Sequence, residues 1–170
     1  MRFQGLSSLA RHAMRPKVRI YCDGACSPNP GVGGWGVVLL SSARRLELSG
    51  AVPDTTNNRM ELLSAIESLR ALRRACSVVI HMDSLYVLNP FQKGWLATWQ
   101  RNGWRSSARK PIENQDLWHD LLGAIATHEV EWRWVKGHAD DVEHNRCDEL
   151  AVAARKAYAA NEGLVAGATG

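Results

Sequence analysis

The 170 residues carry a net charge of +4, and 45% of them are apolar. That size and mix fit one globular domain with a core of its own, not a disordered or fibrous chain. No apolar run approaches the ~18 residues that span a bilayer, and Cys22, Cys26, Cys76 and Cys147 form no C-x-x-C pair, which argues against a membrane span, a zinc ribbon and a disulfide scaffold. The cysteines are expected as reduced thiols in a cytosol-like compartment.

In chain order, residues 1–16 hold Arg2, Arg11 and Arg15 and no acid. They read as a basic, disordered tail. A mitochondrial presequence, or translation starting at Met14, are the alternatives, and one short basic stretch is a weak address. KVRIYC at 17–22 alternates as a strand does and runs into a Gly/Pro/Ser/Asn-rich turn over 23–34. Strands at 35–40 and 46–49 would complete an antiparallel meander, and 53–58 reads as a loop. A helix over 58–73 places Leu62, Ile66, Leu69 and Leu72 on one stripe. SVVIHM at 77–82 suits a buried strand, and a short helix over 85–88 ends before Asn89-Pro90. Further helices are expected over 95–102, stopped by Gly103, over 114–127 and over 145–160, with a last strand, EVEWRWV, at 129–135. No repeat or linker divides the chain. Three strands followed by alternating helices and strands predict a mixed sheet with helices packed on it.

Charge is unevenly placed. Residues 84–112 contain no Asp or Glu, yet carry Lys93, Arg101, Arg105, Arg109 and Lys110. A mildly basic chain with one such stretch hints at a polyanionic partner.

Four acids lie outside that stretch: Asp23 in IYCDGACSPNPG, Glu61 in TTNNRMELL, Asp83 in VIHMDS and Asp148 in HNRCDELA. Asp23 and Asp83 are expected at strand ends, where α/β sheets place ligands. Glu61 and Asp148 are expected in first helical turns, which favour carboxylates. Each has a plain local explanation: a capping box between Glu61 and Asn58, a helix dipole for Asp148, ordinary turn acids for the two aspartates. Together, with such distinctive flanks, they suggest an acidic pocket that requires cations. Mg²⁺ and phosphodiester chemistry are the natural pairing.

The segments DGAC with NPG at 29–31, TTNNRMEL at 55–62, Asp83-Ser84, WVKGH at 134–138 and CDELA at 147–151 closely resemble type-1 ribonuclease H of the bacterial kind. They run in the family's order over most of the chain. The resemblance implies a ribonuclease H-like α/β fold: a five-stranded mixed sheet, its first three strands antiparallel, with helices on both faces. The domain would span 17–160, with a basic handle at 93–110 and a C-terminal tail at 161–170. It implies that Asp23, Glu61, Asp83 and Asp148 ligate two Mg²⁺ ions, with Mn²⁺ as a substitute, and that His138 assists proton transfer or product departure. It implies an endonuclease that hydrolyses the RNA strand of RNA–DNA hybrids, leaving 5′-phosphate and 3′-hydroxyl ends. Cys26, Asn29 and Asn57 match positions that contact the RNA strand. Thr56 and Asn114 match positions that hold a DNA phosphate, and Lys93, Trp95 and Arg101 fall in the handle that meets the DNA strand. Trp99 and Trp104 are expected as the handle's own core, and Trp118, Trp132 and Trp134 as structural.

The chain departs from the family pattern at Asp54, where a basic residue is common, so the phosphate pocket is expected to be weaker or to draw on Arg59 or the handle. It departs also at Leu85 and in the loop around Asp140-Asp141. A cytoplasmic monomer with no membrane association is expected. The rivals are another metal nuclease or strand-transfer enzyme on the same fold, against which TTNNRMEL argues, and a non-catalytic hybrid-binding module, against which the complete acid set argues.

Overall fold

The computed structural model describes residues 14–137 and 140–167, the side chains of 164–167 excepted. Five strands form one sheet in the order β3-β2-β1-β4-β5. β1 (Lys17–Cys26), β2 (Gly31–Leu40) and β3 (Arg45–Thr55) form the antiparallel meander, while β4 (Ser77–Met82) and β5 (Glu129–Trp134) add in parallel beside β1. The helices among the described residues are α1 (Asn57–Arg70), α2 (Leu85–Gln92), α3 (Trp95–Arg101), α4 (Gln115–Ile125) and α5 (Val142–Gly167). None is long and apolar enough to cross a membrane.

Strand alternation divides the helices between the two faces. Ile20 and Cys22 join the main core with Val37, Leu62, Ile66, Leu69, Ile80, Met82, Trp118 and Leu121, which puts α1, α2 and α4 on that face. Tyr21 and Val38 point the other way and pack against Cys147 of α5. The main core centres on Trp118, which is fully buried. Trp118 meets Trp99 edge-on at a centroid distance of 5.5 Å and Tyr86 at 5.7 Å, the offset geometries that aromatic quadrupoles favour. Each large apolar side chain buried this way contributes ~1.5–3 kcal/mol.

The meander strands are longer than their composition predicts. The glycine-rich segment read as a turn over 23–34 is mostly strand, and the reversal is confined to residues 27–30, closed by Ser27 N–H donating to Val32 O at 3.2 Å. The glycines serve close packing instead of turning. A Cβ at Gly36 would collide with the carbonyl oxygen of Cys147, and one at Gly34 with that of Ala151. α5 therefore lies directly on β2. β3 likewise continues through the expected loop to Thr55.

Helix boundaries also shift. α1 begins at Asn57 under a Thr56 cap, whose Oγ1 accepts the Arg59 N–H at 3.2 Å. α2 runs through Pro90 to Gln92. α5 begins three residues before its expected start, because Asp141 caps it: Oδ1 accepts the N–H groups of Glu143 at 3.1 Å and His144 at 3.0 Å. That is the structural use of one of the two loop acids.

Candidate active site

β1 and β4 pair in parallel only as far as Tyr21 and His81. Beyond that rung the two strands no longer pair, and the gap between their carboxyl ends is the crevice where α/β sheets hold ligands. Asp23 lies just past the rung. It does not end its strand, as the pattern of KVRIYC predicts, but sits inside β1 opposite Gly36. Asp83 follows the last residue of β4. Glu61 reaches the crevice from α1 because Gly24 lets the helix close in: a Cβ there would sit 2.6 Å from the Glu61 nitrogen. Asp148 comes from α5, held near Asp23 by the contact of Gly36 with Cys147.

The local explanations for Glu61 and Asp148 fail on register. α1 has no acid in its first turn, since Thr56 caps it and Glu61 is its fifth residue. α5 starts at Val142, so Asp148 stands in its second turn. Neither acid caps a helix or sits where the dipole is strongest.

The electrostatics show the cost of this convergence. Asp23 is buried, and burial first, then the neighbouring Asp83 charge, pushes its pKa up to about 7. Glu61 is pushed well above the usual carboxylate range by burial and then by the charges of Asp23 and Asp83. Although Glu61 as a whole is half-buried, its Oε2 has no contact with water and no hydrogen-bond partner. An unpaired buried acceptor of this kind costs ~1–3 kcal/mol, and a divalent cation relieves it. The carboxylate set, the orphaned oxygen and the crevice fit Mg²⁺, which takes hard oxygen donors.

A residue without a role in the sequence reading joins this centre. His144, in the first turn of α5, is 3% exposed. One ligand atom each from Asp23, Asp83 and His144 lie within 4.8 Å of one another, with Glu61 and Asp148 outside that mutual distance. The sequence carried a signal for it: Asp141 three residues before, as a cap, and Asp148 four residues after, on the same helical face. His138 lies outside the described residues.

The residues matched to the RNA strand form one cluster. Cys26 N–H donates to Asn57 Oδ1 at 2.7 Å, and Asn57 N–H donates to Asn29 Oδ1 at 3.2 Å. The Cys26 thiol turns inward and donates to Thr55 O at 3.4 Å. All four cysteines are buried and free, so none is a disulfide partner.

At the position matched to a DNA phosphate, Thr56 opens α1 and Asn114 opens α4. Asn114 has φ 58°, a left-handed conformation that Asn tolerates better than most residues. Its Nδ2 donates to Tyr86 Oη at 2.9 Å and its Oδ1 accepts from Arg59 Nη1 at 3.3 Å. Arg59, however, is held by Asp116 through contacts of 2.9 and 2.6 Å, so it is not a free cation for a phosphate.

In the segment 93–110, Lys93, Arg101, Arg105, Arg109 and Lys110 are all exposed. Trp95 is 43% exposed with Lys93 Nζ 5.4 Å from its ring centroid, while Trp99 and Trp104 pack against the main core. One expectation for a side chain needs correction. Trp134 is 52% exposed, because β5 is an edge strand and Trp134 its last residue; only Trp132 finds cover, stacked on Phe91 at 4.4 Å. Leu85 also projects into solvent.

Comparison with known proteins agrees with this architecture. The family model described as RNase H matches residues 15–156. A ribonuclease H of Symbiobacterium thermophilum is 61% identical over 138 residues, 81% of this chain and 94% of that protein. A ribonuclease H of Moorella thermoacetica is 57% identical over 81% of this chain and 91% of its own length. Among solved structures, LC9-RNase H1, described as a type 1 RNase H with the type 2 active-site motif, superposes with a TM-score of 0.76 at 32% identity, over 84% of this chain and 74% of that one.

Proposed function

The chain belongs to the ribonuclease H family, and from that premise we propose that it is an endonuclease that hydrolyses the RNA strand of RNA–DNA hybrids by a two-metal-ion reaction, leaving 5′-phosphate and 3′-hydroxyl ends. The observation that carries the reading is the crowding of Asp23, Glu61 and Asp83: burial and the Asp83 charge raise the proton affinity of Asp23, and burial with the charges of Asp23 and Asp83 raises that of Glu61. Acids so arranged are unfavourable alone and favourable around divalent cations.

Asp23, Glu61, Asp83 and Asp148 would hold two Mg²⁺ ions. Bound there, the ions supply an activated water and a counter-charge for the leaving oxygen of an in-line displacement. The chain's own residues do the rest. Thr56 and Asn114 hold a phosphate of the DNA strand, and the Cys26–Asn29–Asn57 cluster lies against the RNA strand, where the 2′-hydroxyl tells RNA from DNA. The exposed cations Lys93 and Arg101 with Trp95 dock the flanking DNA backbone. His138 assists proton transfer or product departure. With Arg59 neutralised by Asp116 and Asp54 exposed, the handle supplies most of the positive charge for DNA docking. The same reading gives a cytoplasmic monomer with a basic tail at 1–16, a catalytic unit at 17–160, a handle at 93–110 and a C-terminal tail at 161–170.

The test is a gel assay of labelled RNA–DNA hybrid, duplex RNA and duplex DNA, with Mg²⁺ or with chelator. Cleavage of the RNA in the hybrid alone, and only with Mg²⁺, is expected. Hybrid binding without cleavage would move the protein to the binding-module class.

A further inference from the structure

We propose that His144 is a direct nitrogen ligand of a divalent cation held between Asp23 and Asp83, and that this donor shifts the site's preference from Mg²⁺ toward borderline transition cations such as Mn²⁺. The inference rests on the metal-dependent reading above and adds a ligand that the four-carboxylate set does not contain.

His144 is enclosed: its side chain is 4% exposed, and among the described residues neither Nδ1 nor Nε2 has a hydrogen-bond partner. A buried histidine that merely fills space normally satisfies at least one ring nitrogen. Here Nε2 is aimed at Asp83 Oδ2 at 3.6 Å. That is too long for a hydrogen bond. It falls between the two spacings of donors on one ion: bonds of ~2.1 Å put neighbouring ligands ~3.0 Å apart and opposite ones ~4.2 Å apart. The three donors of Asp23, Asp83 and His144 lie within 4.8 Å of one another, so binding one ion draws them together until neighbouring pairs stand ~3.0 Å apart and an opposite pair ~4.2 Å apart.

The His144 backbone and the carboxylate that faces its ring are both fixed. Asp141 accepts the His144 backbone N–H at 3.0 Å. The first turn of α5 is tied to β3 by Arg45, whose Nη2 donates to Glu143 Oε2 at 2.8 Å. On the far side, Gly137 lies against Asp83, where a Cβ would collide with Oδ2. The carboxylate oxygen that faces His144 is thus boxed between a residue without a side chain and an imidazole without a partner.

Imidazole is a poor donor for Mg²⁺, which prefers oxygen and keeps its waters. It is a good donor for first-row transition cations, increasingly so along the series from Mn²⁺ towards Cu²⁺. A site with two carboxylates and one imidazole should therefore discriminate between ions that an all-carboxylate site treats more alike.

The full-length protein is stripped of metal and loaded with Mn²⁺ alone, and the bound ion is read by pulsed electron paramagnetic resonance. A directly bonded ¹⁴N coupling is expected in the parent protein. It should vanish in His144→Phe, which keeps the ring volume, and in His144→Asn, with circular dichroism showing both variants folded. Mn²⁺ affinity should fall by ~10-fold or more in both, as losing a ligand or its support commonly costs, while Mg²⁺ affinity changes by less than ~3-fold. No nitrogen coupling in the parent protein overturns the proposal, as does a coupling that persists in either folded variant. Hybrid cleavage with Mg²⁺ is assayed in parallel. Cleavage without nitrogen coupling removes this inference and leaves the proposed function, whereas coupling without cleavage does the reverse.

Discussion

At the acid centre, Asp23, Glu61 and Asp83 crowd one another at the rim of a closed core; in the segment 93–110, five cations stand in solvent beside two half-buried tryptophans. The two regions have opposite charge and opposite surroundings. In the crevice each charge is felt strongly by its neighbours, because little water screens it. Along the handle each cation is screened and acts nearly alone. The lesson is that the centre depends on each member, while the handle depends on their number.

The largest effect expected from this contrast is on the chemical step. Asp23→Asn or Asp83→Asn should lower the single-turnover cleavage rate by ~10³-fold or more, since a metal ligand supports several kcal/mol of transition-state stabilisation. The circular dichroism spectrum should not change. Near-parent cleavage by either variant would remove that residue from the mechanism.

Next in size is a pH effect confined to the acid centre. Asp23 has a folded pKa of about 7, above the ~3.9 of an unfolded aspartate. A carboxylate raised on folding contributes stability that is fully present below the unfolded value and is lost as pH rises through the folded one. The metal-free protein should therefore melt at progressively lower temperature between about pH 4 and pH 7, less steeply in Asp23→Asn, and Mg²⁺ should restore more stability at pH 7.5 than at pH 5. Glu47 does not oppose this trend. Its carboxyl, held at about 2 by Arg146 and then Arg45, contributes stability that is lost only below about pH 4. A melting temperature that is flat from pH 4 to 7 would contradict the crowding of Asp23.

Within the handle, the two kinds of tryptophan sharpen the comparison. Trp99→Ala should cost ~2–3 kcal/mol in a denaturant titration, below the range for a fully buried aromatic because Trp99 is half-buried. Trp95→Ala should cost under ~0.5 kcal/mol and weaken hybrid binding instead. The reverse ranking would mean that Trp95 belongs to the core. The smallest effect per residue belongs to the cations. Neutralising Lys93, Arg101 and Arg105 together should raise KM, leave kcat near the parent value and flatten the salt dependence of binding by ~2–3 units of slope, about 0.7–0.9 per phosphate contact. An unchanged slope would rule out docking by the handle.

Much of the fold was legible because periodicity is a local property. The stripe of Leu62, Ile66 and Leu69 and the alternation in SVVIHM placed α1 and β4 to within a few residues. The glycine-rich stretch after Asp23 misled because a glycine that turns a chain and a glycine that admits a helix look the same in sequence. Gly34 and Gly36 do the second, which only tertiary packing reveals. Trp134 was misjudged because alternation gives a face and not whether a helix covers it. Around the site, TTNNRMEL and CDELA marked Glu61 and Asp148 through family resemblance, while the helix starts assigned to both were late. His144 went unassigned for the same reason: with α5 begun at its expected place, the residue fell in a loop instead of on the face that carries Asp148.

The most direct test of the cation centre is calorimetric titration of the metal-free protein with Mg²⁺ at pH 7.5, alongside Asp23→Asn and Asp83→Asn. The parent protein is expected to bind saturably, and both folded variants to lose most of that heat. Binding that is undiminished in both variants would contradict a centre built on these two carboxylates.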